Sequence, residues 1–188
     1  MRRSLPPTIF AALGVAFVGS AAFAAVVARD LPKQLSLIQA AEGKAAVVYG
    51  EITAAEKVDL SSSPDVPWTK LTVKIEQALL GAAGKEAISV YTPGFGDHRL
   101  SISAPEAETR AGEKVVLFVR QEASLDEVES GAFKLDSFAE SFRTQTNRKG
   151  GVVVLGEGGS SAIENNTLLS DLATKVAQEF EAIQKAKK

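Results

Sequence analysis

The segment Lys114-Val115-Val116-Leu117-Phe118-Val119-Arg120 constrains the fold most, because five apolar side chains run unbroken between charged ends. Successive side chains of a strand point to opposite faces, so such a run buries both faces and demands a central position in a sheet. Ala45 to Ile52 (AAVVYGEI) is a second short, β-branched run, with Gly50 inside it marking a bulge or bend. From Trp68 onward Leu71, Val73 and Ile75 alternate with Thr72, Lys74 and Glu76, the pattern of a strand with one face on the core. Ala87 to Thr92 and Gly151 to Gly156 read as further strands, and Leu100, Ile102 and Ala104 alternate once more. Turn formers separate them at 59–67 (DLSSSPDVP), 81–84 (GAAG), 93–97 (PGFGD) and 144–151 (TQTNRKGG). Short strands with turn signals every ten or so residues predict a barrel, since closing the sheet hides the edges that would otherwise pair with other chains.

Helices are expected at both flanks, which makes the predicted class mainly β with flanking helices. Asp30, or alternatively Ser36, caps a first helix, with Pro32 in the first turn after Asp30, Leu35, Leu37, Ile38 and Ala41 on its apolar side and Gly43 at its end. Leu168, Leu169, Leu172, Val176, Phe180 and Ile183 form the stripe of an amphipathic helix over 167–186, capped by Asn166 or Thr167. Lys185, Lys187 and Lys188 stand at its negative end. Residues 121–131 are acidic and aperiodic, as an exposed loop or a short frayed helix would be, and Phe133, Leu135, Phe138 and Phe142 fit strand or helix alike. The expected unit is one β-barrel domain over 31–186.

The first thirty residues carry an address. Met1, Arg2 and Arg3 precede an uncharged run from Ile9 to Val27 that contains Ala22-Phe23-Ala24. This is the layout of a secretory signal peptide, 1–24, cleaved after Ala24. The alternative is an uncleaved membrane anchor over 9–27, long enough as helix to span a bilayer. Either reading puts the remainder in an extracytoplasmic place, periplasmic or secreted. Arg2-Arg3 supplies only a fragment of a twin-arginine signal, with Pro6-Pro7 where the motif would continue.

Of 188 residues, removal of 24 leaves 164, with 19 basic against 23 acidic side chains. That balance repels nucleic acid and anionic lipid. There is no cysteine in the chain, so neither a disulfide scaffold nor a thiol nucleophile is available and stability rests on packing.

The order Val47-Val48-Tyr49-Gly50-Glu51-Ile52, Thr72-Val73-Lys74-Ile75 with Leu79-Leu80-Gly81, Val90-Tyr91-Thr92-Pro93-Gly94, then Gly112-Glu113-Lys114-Val115-Val116-Leu117-Phe118 resembles a group of uncharacterised exported bacterial domains. It is also similar to the netrin-like barrels of the tissue-inhibitor-of-metalloproteinase type. The resemblance spans about Leu35 to Arg120, rests on core and turn positions, and implies a small OB-like/netrin-like β-barrel. Those inhibitors act through an N-terminal cysteine and are heavily disulfide-bonded. With no cysteine here, the resemblance carries over no functional residue.

Candidate chemistry is sparse. Asp97 and His98, in a glycine-bearing turn, form a conceivable carboxylate-oriented base, but no G-x-S-x-G elbow supplies a nucleophile. One histidine and no cysteine exclude a transition-metal site by count, and Asp126, Glu127 and Glu129 lack the spacing of a calcium loop. Gly156-Glu157-Gly158 and Gly94-Phe95-Gly96 lack the third glycine of a dinucleotide fingerprint, so no cofactor is expected. Asn165-Asn166-Thr167 matches a glycosylation sequon, relevant only in a eukaryotic secretory pathway. Four residues stand out as ligand-binding candidates. Trp68 offers a stacking platform for a sugar or a partner's proline, though core packing is its simpler role. Arg143, Arg148 and Lys149 form a basic group at a hairpin. The expectation is an exported, non-catalytic binding or interaction module of the cell envelope with a protein or saccharide partner and no nucleic acid, touching membrane only through 9–27 if uncleaved. The alternatives are a hydrolase using Asp97 and His98, and a membrane-tethered structural protein.

Overall fold

The computed structural model describes Leu31, Leu35 and residues 44–65, 67–94, 111–135, 140–156 and 163–187. The fold is mainly β. Its strands are β1 (Ala45–Val58), β2 (Trp68–Leu80), β3 (Ala87–Pro93), β4 (Lys114–Gln121), β5 (Phe133–Lys134), β6 (Ser141–Thr146), β7 (Val152–Val154) and β8 (Thr167–Leu168), followed by helix α1 (Leu169–Ala186).

The two apolar runs occupy the middle of the sheet, as their lack of a polar face requires. β1 pairs antiparallel with β2 along one edge and with β4 along the other. β2 continues to β3, and the two-residue β5 lies parallel to β3 and antiparallel to β4. The ladder β1-β2-β3-β5-β4 thereby comes back to β1, while β6, β7 and β8 extend outward from β4.

Alternation along β1 and β4 feeds two separate cores. Ala46, Val48 and Ile52 of β1 join Val115, Leu117 and Val119 of β4, Leu71 and Val73 of β2, and Ile88 and Val90 of β3 in one buried cluster. Val47 and Tyr49 join Val116, Phe118 and Phe142 with Leu169, Leu172 and Val176 of α1 in another. Phe118 and Phe142 meet edge to face, their ring centroids 5.8 Å apart. A third, smaller cluster of Leu60, Trp68, Tyr91, Leu125 and Ala132 lies beneath two loops.

The β1–β2 register shifts between Tyr49 and Gly50, as the glycine inside the run predicts. A β-carbon at Gly50 would lie 2.2 Å from the Lys74 carbonyl oxygen, so only glycine permits this approach of the two backbones. Bulges of this kind add twist and curvature to paired strands.

Several boundaries differ from expectation, each because a partner strand claimed the residues. Thr144, Gln145 and Thr146 belong to β6, paired with Val154, Val153 and Val152, so the turn is confined to Asn147–Gly151. Thr167 pairs with Val154 in β8, and α1 starts at Leu169 with Leu168 in the cap position and no side-chain cap, rather than with Asn166 or Thr167 as cap. In the acidic stretch Ala123–Leu125 forms a single 3-10 turn whose Leu125 is buried. The expected N-terminal helix falls almost wholly outside the described residues. Of its residues only Leu31 and Leu35 are described, both buried in the cluster under α1. The signal or anchor segment 1–27, Asp97, His98, the alternation at Leu100, Ile102 and Ala104, and Phe138 lie outside the described residues.

Candidate functional site

A cleft opens where β6 parts from β4. The two strands pair only through Val115–Arg143, Val116–Phe142 and Leu117–Ser141, after which β6 turns to β7. The start of β4 instead stays with β1, where Ile52 N–H donates to Glu113 O at 2.9 Å and Gly112 N–H to Ile52 O at 2.7 Å. The gap between the diverging backbones is an open groove of about 490 Å³, bordered by Tyr49, Glu113, Lys114, Arg143, Gln145 and Thr146 among others. That volume lies in the range of small-ligand sites.

A polar network lies beside the cleft. Lys114 Nζ sits 2.6 Å from Glu76 Oε1, and Thr144 Oγ1 donates to the Lys114 carbonyl at 2.9 Å. The hydrogen bond from Lys114 holds the Glu76 carboxyl below its ordinary range, against the opposing effect of burial. Glu76 in turn holds the Lys114 ammonium above its ordinary value. Burial pushes the Tyr49 hydroxyl up, and the Glu76 charge adds to that. At neutral pH the network is an ionised carboxylate, an ammonium and a neutral phenol. Arg143, exposed at the cleft, forms an ion pair with no described residue. Lys114 is committed to Glu76, which leaves Arg143, among the described residues bordering the cleft, as the cation available to a ligand.

The four sequence candidates fall in three places. Trp68 is 8% exposed, packed with Leu60, Tyr91 and Leu125 beneath the loops, and Lys134 Nζ lies 5.8 Å from its ring centroid. Arg143 borders the cleft. Arg148 and Lys149 are exposed in the turn after β6 and do not border the cleft, so the basic group is divided between the two places. Asn147 Oδ1 accepts from the backbone N–H of Lys149 and of Gly151, both at 2.9 Å, which fixes that turn. Of the acidic residues, Glu127 accepts hydrogen bonds from Ser61 and Ser62, and Glu129 pairs with Lys70 at 2.8 Å. Among the described residues no group of three or more such side chains is placed to hold a metal ion.

Tyr49, Glu76, Lys114 and Thr144 were not singled out by sequence reasoning. Glu76 and Lys114 are separated by 38 positions and meet only because β1 lies between their strands. The one local signal was Tyr49, a hydroxyl within an apolar run. No protein-family model, curated protein or solved structure matches the chain.

Proposed function

We propose that the protein is an exported, non-catalytic binding module of the cell envelope, built on a small OB-like barrel and taking its ligand in the cleft between β4 and β6. The observation that carries the reading is the cleft itself, bordered among the described residues by the Arg143 guanidinium, the Glu113 carboxylate, amide and hydroxyl side chains, and Lys114, whose charge is paired with Glu76. The ladder that comes back to β1, with β3 and β5 parallel, supports the barrel. The basic start, apolar run and Ala22-Phe23-Ala24 support export with cleavage after Ala24, leaving an extracytoplasmic domain over 31–186. The acidic balance argues for a protein or saccharide partner and against nucleic acid. Contact with membrane is confined to residues 9–27, should they stay attached.

A photo-crosslinking residue placed at Gln145 in the native host, and at exposed Lys175 of α1 as control, tests the site. A discrete adduct from position 145 alone is expected. N-terminal sequencing of the same material should begin at Ala25. Turnover of an ester, phosphate or glycoside that falls 100-fold or more in His98→Ala, with the fold intact, would replace this reading with the hydrolase.

A further inference from the structure

The acidic loop between β4 and β5 is bonded mostly to itself. Its ends are drawn together at a neck, where Glu122 N–H donates to Ala132 O at 3.4 Å and Gln121 Nε2 to Gly131 O at 3.3 Å. Between them the chain satisfies its own groups. Leu125 N–H donates to Glu122 O, Asp126 N–H to Ala123 O, Val128 N–H and Glu129 N–H to Leu125 O, and Gly131 N–H to Asp126 Oδ1. This is the form of an Ω-loop, a compact excursion with its ends close together. Among the described residues, no backbone hydrogen bond joins 123–131 to another element. Three side chains fasten it instead. Leu125, 1% exposed, enters the cluster of Leu60, Trp68, Tyr91 and Ala132. Glu127 accepts from the hydroxyls of Ser61 and Ser62 and from Ser62 N–H, in the loop before β2. Glu129 pairs with Lys70 Nζ of β2 at 2.8 Å and accepts from the Tyr91 hydroxyl of β3 at 3.2 Å.

Two of these three fastenings are carboxylates. Ser61 and then Ser62 hold the Glu127 carboxyl below its ordinary range, whereas burial raises that of Glu129 and Lys70, Ser89 and Tyr91 outweigh it. The surrounding charges are Lys85, which borders the small pocket beside Glu129, Asp59 paired with Lys57, the exposed Asp65, and Glu122 paired with Arg120 at the neck. A carboxylate held down in the fold loses its contribution as pH falls through its folded value, so both fastenings weaken below about pH 4. The neck and the bonds inside the loop do not titrate. We infer that residues 123–131 form an acid-released flap: protonation of Glu127 and Glu129 lets it lift about its neck as a unit, uncovering Trp68 and Tyr91 while the sheet stays folded. The face beneath is aromatic and cationic, with Lys134 Nζ 5.8 Å from the Trp68 ring centroid and Lys70 Nζ 5.9 Å from that of Tyr91. The flap is independent of the cleft between β4 and β6.

Trp68 is the chain's only tryptophan, and its buried indole N–H has no hydrogen-bond partner among the described residues, so burial protects it from exchange with solvent. Its exchange is measured by NMR on the purified, isotopically labelled protein from pH 6 to pH 3, relative to N-acetyltryptophanamide at each pH. The backbone amide of Phe118, in the middle of the sheet, is followed in the same samples. Indole protection should fall about tenfold over this range and lie roughly a hundredfold below that of Phe118 throughout. The double variant Glu127→Gln, Glu129→Gln, isosteric with the protonated acids, should show the low protection already at pH 6 and lose the pH dependence. Glu181→Gln on the exposed face of α1, as control, should keep the wild-type profile. If the double variant does not fold, the exposed Glu127→Gln alone should remove part of the indole protection at pH 6. Indole protection equal at pH 6 and pH 3 overturns the inference. So does protection equal to that of Phe118, which makes the opening global unfolding, and so does a wild-type profile in the glutamine variants, which places the controlling proton elsewhere.

Discussion

One outer face of the sheet is covered by α1, which shares a buried cluster with Val116, Phe118 and Phe142, whereas the outer face of β2 and β3 is covered by two loops that bring Leu60 and Leu125 to Trp68 and Tyr91. A helix satisfies its own backbone hydrogen bonds and can give a whole stripe to burial. A loop cannot, so polar clips hold these two: Glu127 accepts from Ser61 and Ser62, Asp126 Oδ1 accepts from Gly131 N–H at 3.1 Å, and Glu129 joins Lys70 and the Tyr91 hydroxyl. The lesson is that one cover derives its stability from apolar area and the other depends in part on ionised carboxylates. The helix side should therefore be sensitive to truncation and the loop side to pH.

Phe118→Ala should have the largest effect, about 3–5 kcal/mol, because a fully buried ring is lost from the face under α1. A denaturant midpoint unchanged by it would remove β4 from the centre of the sheet. Leu172→Ala and Leu125→Ala, each 1% exposed in the native fold, make the direct test. About 3 kcal/mol is expected under the helix and about 2 kcal/mol under the loop, which relaxes more readily into the space left. Equal losses would break the contrast between the two covers.

Glu129→Gln should cost roughly 0.5 kcal/mol, since Lys70 and Glu129 are 30% and 38% exposed and solvent screens them. Its consequence in pH is more specific. Burial would raise the Glu129 carboxyl, but the hydrogen bonds and charge of Lys70, with Ser89 and Tyr91, outweigh it and hold it below the ordinary value. Glu127 is held down by Ser61 and then Ser62. A carboxylate whose folded pKa is depressed stabilises the fold above its unfolded value, near ~4.3, and loses that contribution as pH falls through the folded value. Urea midpoints measured from pH 6 down to pH 3 should therefore fall below about pH 4. Glu129→Gln and Glu127→Gln should each flatten that decline, whereas Phe118→Ala should lower the curve without changing its slope. An unaltered slope in the double glutamine variant would show that these clips do not hold the loops.

Much of the sheet was legible in the chain because burial on one or both faces leaves a local mark. The runs at Ala45 and Lys114 announced central strands, Leu71 and Val73 a strand with an inner face, and Leu169, Leu172 and Val176 the helix stripe. Polar residues leave no such mark when pairing recruits them. Thr53, Glu56 and Lys57 are exposed, yet they extend β1 to Val58 because β2 continues beside them as far as Trp68. Thr144, Gln145 and Thr146 read as turn until Val152–Val154 is seen to pair with them.

By itself, then, the sequence determined which segments bury apolar side chains and on how many faces, since hydrophobic periodicity is a property of neighbours along the chain. Only the tertiary structure decided that β6 would leave β4 after three paired residues, that Glu76 would be brought to Lys114, and that Arg143 would stand apart from Arg148 and Lys149. Each depends on which strands lie side by side, and pairing across tens of residues is chosen by the fit of the whole sheet, so no single segment records it.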